Sequence, residues 1–279
     1  MRLARQQGYR PHPAARELIT GQSQIVGAVV PTVNNIFFMD LFHELGSRLA
    51  ERKLRLQVSP VRDPADFLAV LEDFAARRVR LGLVVPPEDY IQIPGAITGC
   101  LPLISLISPC RGKGIHFISA DEEKTGREAV RHLYNRGHRH ILHLTYERRA
   151  YAIMARARGY KRQTRELGLN ARITTTLHQK QLISLLKKER ITAIFCHNDW
   201  LALTVLLSLS KSGIRVPEDV SVLGVDNSPT LMALHPGLTT MAYPVGAVGR
   251  AIADILDGGN GQAQEMEYQI MERATVRNL

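Results

Sequence analysis

Four stretches of this 279-residue chain gather side chains suited to holding hydroxyl and carboxylate groups. They are Thr32 to Phe38, with Asn34, Asn35 and the pair Phe37 and Phe38; Glu147-Arg148-Arg149, with Arg156 a helical turn or two beyond; His197-Asn198-Asp199; and Asp226-Asn227-Ser228. A planar guanidinium forks onto two oxygens, an Asn amide both donates and accepts, a carboxylate accepts, and aromatic faces stack on sugar rings. Together this is recognition chemistry for a polyol. The same short polar residues also cap helices and form turns. Asp199, just ahead of the helical run from Trp200, is assigned to capping that run.

Catalytic alternatives have thinner support. The chain lacks G-x-x-x-x-G-K-[ST], G-x-G-x-x-G after a strand, G-x-S-x-G and H-E-x-x-H, the patterns of phosphate loops, dinucleotide sites, nucleophile elbows and zinc hydrolases. His132, His138, His140 and His143 cluster, but no carboxylate or Cys completes a metal-ligand spacing. Neither a metal nor a cofactor is expected. An α/β enzyme with Asp226 or His197 as general base remains an alternative, which turnover of a sugar, lost on substituting Asp226, would support.

What positions these residues is legible in the periodicity. Apolar runs at 25–30, 55–59, 81–85, 101–107, 141–145, 193–196 and 221–225 read as buried strands. Stretches of helical period lie between them at 38–52, 65–78, 155–167, 179–188 and 200–212. Asp63 followed by Pro64 caps the second of these, and Gly213 stands just past the last. Strand and helix alternating predict two α/β lobes, each with a parallel sheet flanked by helices. The four polar stretches then fall at strand exits, where ligands of open parallel sheets bind. Residues 256–263 read as a turn-rich connection before a final extended stretch.

Composition sets outer bounds. With 45% apolar and 22% charged residues the chain is globular. No stretch reaches the roughly 18 to 20 apolar residues of a membrane span, and no apolar run follows the Arg-rich start, so a soluble cytoplasmic protein is expected. Cys100, Cys110 and Cys196 are an odd set without close spacing, and all are read as reduced. A net charge of +10, dense around Arg2, Arg5, Arg10 and Arg16, suits a polyanionic partner as well as it suits a solvated tail.

The run Gly213-Ile-Arg-Val-Pro-Glu-Asp-Val-Ser-Val-Leu-Gly-Val-Asp-Asn227, with Pro236-Gly-Leu-Thr-Thr240, resembles the most characteristic stretch of LacI/GalR transcription regulators. Gly8 to Leu18, Arg136-Gly-His-Arg-His-Ile141, Arg156-Ala-Arg-Gly159-Tyr160 and Thr192 to Asp199 extend the resemblance over nearly the whole chain. It implies a two-lobed fold like that of periplasmic sugar-binding proteins, with 22–137 plus 242–257 in one lobe and 138–241 plus 258–279 in the other. It also implies an effector held by Phe37, Phe38, Arg156, Asn198 and Asp226. Residues 1–21 would hold the remnant of a DNA-reading headpiece and a hinge helix at 13–20, with Arg16 and Leu18 entering the minor groove. The implied partners are operator DNA, through that hinge only, and a second copy of the chain. The implied function is a repressor whose operator affinity is switched by a small effector acting through differential affinity for two states. The chain departs from the family at Arg80-Leu81-Gly82, at Ala150 and Ala152, and in a short 171–182 segment, so no relative's effector transfers. A sugar, sugar acid or sugar phosphate is expected, and the density of Arg148, Arg149, Arg156 and Arg158 points to the acidic members. A transport-associated sugar-binding protein of the same fold is the runner-up.

Overall fold

The computed structural model describes residues 23–31, 36–148, 150–175, 178–261 and 266–279. The hinge residues Arg16 and Leu18, the whole 1–21 segment, Asn34, Asn35 and Arg149 lie outside the described residues.

Strands and helices alternate in the order β1 (Ile25–Pro31), α1 (Ile36–Glu51), β2 (Arg55–Val61), α2 (Pro64–Ala76), β3 (Leu81–Val84), α3 (Gly95–Thr98), β4 (Leu103–Leu106), β5 (Ile115–Ile118), α4 (Glu122–Asn135), β6 (Ile141–Leu144), α5 (Tyr151–Glu166), β7 (Arg172–Thr174), α6 (Gln179–Lys188), β8 (Ala193–Cys196), α7 (Asp199–Lys211), β9 (Ser221–Asp226), α8 (Pro229–Leu234), β10 (Thr239–Ala242), α9 (Val245–Leu256) and β11 (Gln269–Met271). The first sheet runs β2-β1-β3-β4-β5 and the second β11-β10-β9-β8-β6-β7. Taken in chain order within each sheet, both follow the same 2-1-3-4-5 arrangement, the second with antiparallel β11 added at its edge. Right-handed crossovers generate that order when each strand is followed by a helix.

The chain divides into two compact units. One takes in β1, Gly46–Leu106 and Cys110–His116; the other takes in the first part of α1 up to Leu45, Ile107–Pro109 and Phe117–Leu279. In the first unit Phe67, Leu71 and Phe74 of α2 pack on Val29, Val84 and Leu103. Asp63 caps α2 by accepting from Ala65 N and Asp66 N, each at 2.9 Å.

In the second unit the strand pleat sends alternate residues to opposite faces. Leu142, Leu144, Ile194 and Cys196 meet α6 and α7 on one face, and Ile141, Ala193, Phe195 and Leu223 meet α4 and α5 on the other. Helices α4 and α5 cross at Gly126 and Gly159: a Cβ on the first would strike Arg156 O, and a Cβ on the second would strike Glu123 O. This close approach keeps α4 with the second unit, whereas the expected boundary at 137 assigns it to the first lobe. Helix α9, within the 242–257 segment expected in the first lobe, also groups with the second unit.

One cap differs from expectation. Asn198, not Asp199, caps α7, its Oδ1 accepting from Leu201 N at 3.0 Å. Asp199 is the first helical residue, and its carboxylate turns into the core to accept from Thr240 Oγ1 at 2.6 Å and Ser228 N at 3.2 Å.

Candidate functional site

Parallel registration aligns the exits of the second sheet. Leu144 of β6 pairs with Cys196 of β8, and Ala242 of β10 pairs with Asp226 of β9, so Tyr146, His197, Asp226 and Tyr243 emerge along one edge. Between β6 and β8 the strand order reverses, and in such sheets this switch point opens a crevice.

Arg156 comes to that edge from the second turn of α5 and is 4% exposed. Its Nε donates to Glu122 Oε2 at 2.6 Å, its Nη1 to the His197 carbonyl at 2.5 Å and its Nη2 to the Tyr268 hydroxyl at 2.7 Å. Tyr268 in turn donates to Glu122 Oε1 at 3.1 Å, closing a ring of three side chains. Glu122 opens α4, where Asp121 supplies the cap by accepting from Lys124 N at 2.8 Å. Burial opposes the Arg156 charge, but Glu122, Tyr268 and Asp226 together more than offset it and the guanidinium stays protonated.

Asp226 ends β9 with a φ of 116°, a region that L residues rarely adopt, and Asn227 follows at 54°. The turn is held from both sides. Asn227 accepts from Arg273 Nη2 at 2.8 Å, and Ser228 and Thr230 donate their hydroxyls to Asp40 of α1. Asp226 as a whole residue is 7% exposed, and its carboxylate accepts no hydrogen bond from the described residues. Burial pushes its pKa well above the carboxylate range, with the Arg156 charge pulling it back and Asp199 and Glu122 adding to the rise. Burial likewise raises Asp199, to about 6, against its hydrogen bond from Thr240.

Of the five buried side-chain atoms that lack partners among the described residues, His197 Nδ1 and the Tyr243 hydroxyl lie at this edge; the others are His143 Nε2, Thr145 Oγ1 and His235 Nδ1. Burial holds the His197 imidazole well below its usual range, helped by the Arg156 charge. Burial raises Tyr243, and the charges of Glu122 and Asp226 add to that rise, which places its hydroxyl in their field.

Of the sequence-predicted residues, Arg156, Asp226 and Asn198 meet at this edge. Asn198 is occupied, accepting from Leu201 N and from the Tyr146 hydroxyl at 3.2 Å. Phe37 packs edge-on against Tyr243, centroids 5.1 Å apart, and Phe38 tilts against Phe37 at 5.5 Å. Tyr243 continues to Tyr268 at 5.6 Å, so an aromatic row leads from α1 to the Arg156 ring. The arginines do not converge: Arg148 and Arg158 are exposed, and Arg158 reaches Glu123 at 3.4 Å.

Glu122, Tyr243 and Tyr268 were not anticipated. An acidic pair opening a helix was the available signal for Glu122; the two tyrosines carry none, being placed by β10 and by the segment entering β11. His138 and His143 are held by structural contacts. His138 contacts Thr192 Oγ1 and the Arg277 carbonyl, and His143 donates to Phe195 O while stacked on the Phe195 ring. Among the described residues no group of three or more His, Cys, Asp or Glu is placed to hold a metal, and no helix is long and apolar enough to cross a membrane.

Residues 130–278 match the family of periplasmic binding protein-like domains. The HTH-type transcriptional repressor PurR of Vibrio atlanticus is 28% identical over 303 residues, covering 97% of this chain and 86% of the relative. The lac repressor dimer bound to operator and the anti-inducer ONPF superposes with a TM-score of 0.77 at 22% identity, over 96% of this chain and 99% of the other. A periplasmic binding protein/LacI transcriptional regulator from Alkaliphilus metalliredigens, complexed with D-xylulofuranose, gives 0.76 at 23% identity, over 91% and 99%. These relatives are regulators rather than enzymes, and the general-base alternative for Asp226 or His197 falls with that. With more than half of its length inside the family match, the chain belongs to the periplasmic-binding-protein-like family, as the effector-binding region of a LacI/GalR transcription regulator.

Proposed function

We propose that this regulator takes a small polyhydroxy effector at the exits of β8 and β9, and that occupancy there changes its affinity for operator DNA. The observation that carries the reading is Asp226: a buried carboxylate, in a strained backbone conformation, given no hydrogen bond by the described residues. A ligand hydroxyl pair would donate to the Asp226 carboxylate, and His197 Nδ1 and the Tyr243 hydroxyl, buried and without a partner among the described residues, supply further contacts. Aromatic faces at Phe37 and Tyr243 suit the C–H face of a sugar ring.

The operator contacts belong, in this reading, to Arg16 and Leu18 in a hinge helix at 13–20, and the working unit is a homodimer matching a two-fold operator. The lac repressor dimer on its operator and the regulator complexed with D-xylulofuranose support the reading by likeness of fold. A transport role is not favoured, because the relative matched over 97% of the chain is a repressor.

A thermal-shift screen of pentoses, hexoses and nucleosides tests the effector half. Mass action predicts a concentration-dependent rise in Tm for a binding sugar, and Asp226→Asn should abolish it. A ligand that stabilises wild type and Asp226→Asn equally would refute the assignment.

A further inference from the structure

Among the described residues Arg156 is the only buried Arg or Lys, while Glu122, Asp199 and Asp226 are buried carboxyl groups within or beside the same cluster. A guanidinium recognises a carboxylate or phosphate best through two parallel N–H groups. Here the edge formed by Nε and Nη2 is already closed, by Glu122 at 2.6 Å and by the Tyr268 hydroxyl at 2.7 Å. The third nitrogen gives one N–H to the His197 carbonyl, so three of the five guanidinium N–H groups are committed and the two left over lie outside the Nε–Nη2 fork. An incoming anion would therefore meet a cation whose charge Glu122 already balances, and would have to approach the Glu122 carboxylate itself. In a buried site of low effective dielectric, like charges repel strongly.

We propose that Glu122 sets the charge class of the ligand: by occupying Arg156 it excludes sugar acids and sugar phosphates and leaves the site to an uncharged polyhydroxy molecule whose hydroxyls donate to Asp226. This rests on the effector reading above and narrows it. It also reverses the expectation, drawn from arginine density along the chain, that the effector is acidic. Glu122 acts here through Arg156, so it is a positioning residue with a specificity consequence.

Inorganic phosphate, which needs no knowledge of the natural effector, is the direct probe. The full chain is titrated with phosphate by calorimetry at constant ionic strength, as wild type, Glu122→Gln, Arg156→Gln and the double variant, alongside D-xylulose and D-xylulose 5-phosphate. Wild type should show no Arg156-dependent phosphate binding. Glu122→Gln, which keeps the shape and removes the charge, should gain saturable binding at least tenfold tighter, lost again in the double variant. Phosphate or D-xylulose 5-phosphate binding to wild type that disappears in Arg156→Gln would overturn the proposal. So would a folded Glu122→Gln that gains nothing. Should Glu122→Gln fail to fold, the comparison of wild type with Arg156→Gln still decides. Absence of binding by any neutral sugar counts against the effector reading and leaves the phosphate arms to judge Glu122 independently.

Discussion

Removing Arg156 leaves Glu122 buried at the start of α4 with, among the described residues, only the Tyr268 hydroxyl to satisfy it. Breaking one side of a buried ion pair costs about 3–5 kcal/mol, whereas replacing both partners with uncharged groups of similar volume is often close to neutral. Arg156→Met alone should therefore destabilise more than Arg156→Met combined with Glu122→Gln, as measured by urea unfolding; equal losses would mean that the pair contributes no coupling. The buried histidines predict a pH response with a definite sign. Burial holds His138 and His143 at about 4, below the usual value near 6.5. The unfolded chain binds the extra protons, so the stabilisation is complete above pH 6.5 and is lost as pH falls toward 4. For His143 a shift of that size corresponds to about 3 kcal/mol. Asp199, raised to about 6, works the other way across an overlapping window, favouring the folded state as pH falls from 6 toward 4. His132 and His197 are lowered in the same sense as His138 and His143, so the histidine contribution to stability should rise from pH 4 to 6.5. Replacing His143 with Asn should flatten the rise, and an unchanged slope in guanidine melts across that range would contradict the assignment.

Helix α5 reaches the site only because α4 lets it approach backbone to backbone. Alanine at a helix-interior glycine ordinarily stabilises by about 1 kcal/mol. At Gly159 the added Cβ would strike the backbone of α4, and overpacking of this kind costs about 1–3 kcal/mol. Gly46 of α1 has only ordinary contact with Leu56 and is the matched control. Gly159→Ala should lower Tm while Gly46→Ala leaves it level or raises it; stabilisation by both would remove the helix crossing from the account. The same crossing explains why α4 escapes a reading of the sequence. Its inward positions are Gly126, Ala129, Val130 and Leu133, correctly spaced for a helix but too small at two of them to register as an apolar stripe. Strand β10 hides for a different reason. Thr239 and Thr240 look like turn residues, yet their hydroxyls are used by Arg273 N and Asp199 in the core. Elements whose signal is local were legible: Asp63 with Pro64 before α2, Gly213 after α7, and the apolar strands β1, β3, β8 and β9. The cap of α7 was misassigned by one residue, because Asn198 and Asp199 are equally good caps and only the depth of the Thr240 hydroxyl decides between them. Asn198→Ala should cost about 1 kcal/mol, with Tyr146 losing its acceptor as well.

Across the whole molecule, two sheets with the same strand order carry the same kind of exit, and only the second unit's exits are described with their side chains in one cluster. The alternation of strands and helices made that architecture legible, since parallel sheets covered on both faces need continuous apolar runs. The cluster was legible in part. Arg156 and Asp226 stand in motifs that resemble a known family, while Glu122 and Tyr268 come from segments far away in the chain, joined to Arg156 only by folding. That distance is why charge counted along the chain pointed to an acidic effector and charge counted in space points to a neutral one. The central claim is that an effector gives Asp226 the hydrogen bonds that the described residues do not. A crystal structure of the chain with a sugar that raises its Tm measures this most directly. The account predicts ligand hydroxyl oxygens within about 3 Å of the Asp226 carboxylate, with the Arg156–Glu122 pair intact; a bound sugar that leaves Asp226 untouched, or that displaces Glu122 from Arg156, would contradict it.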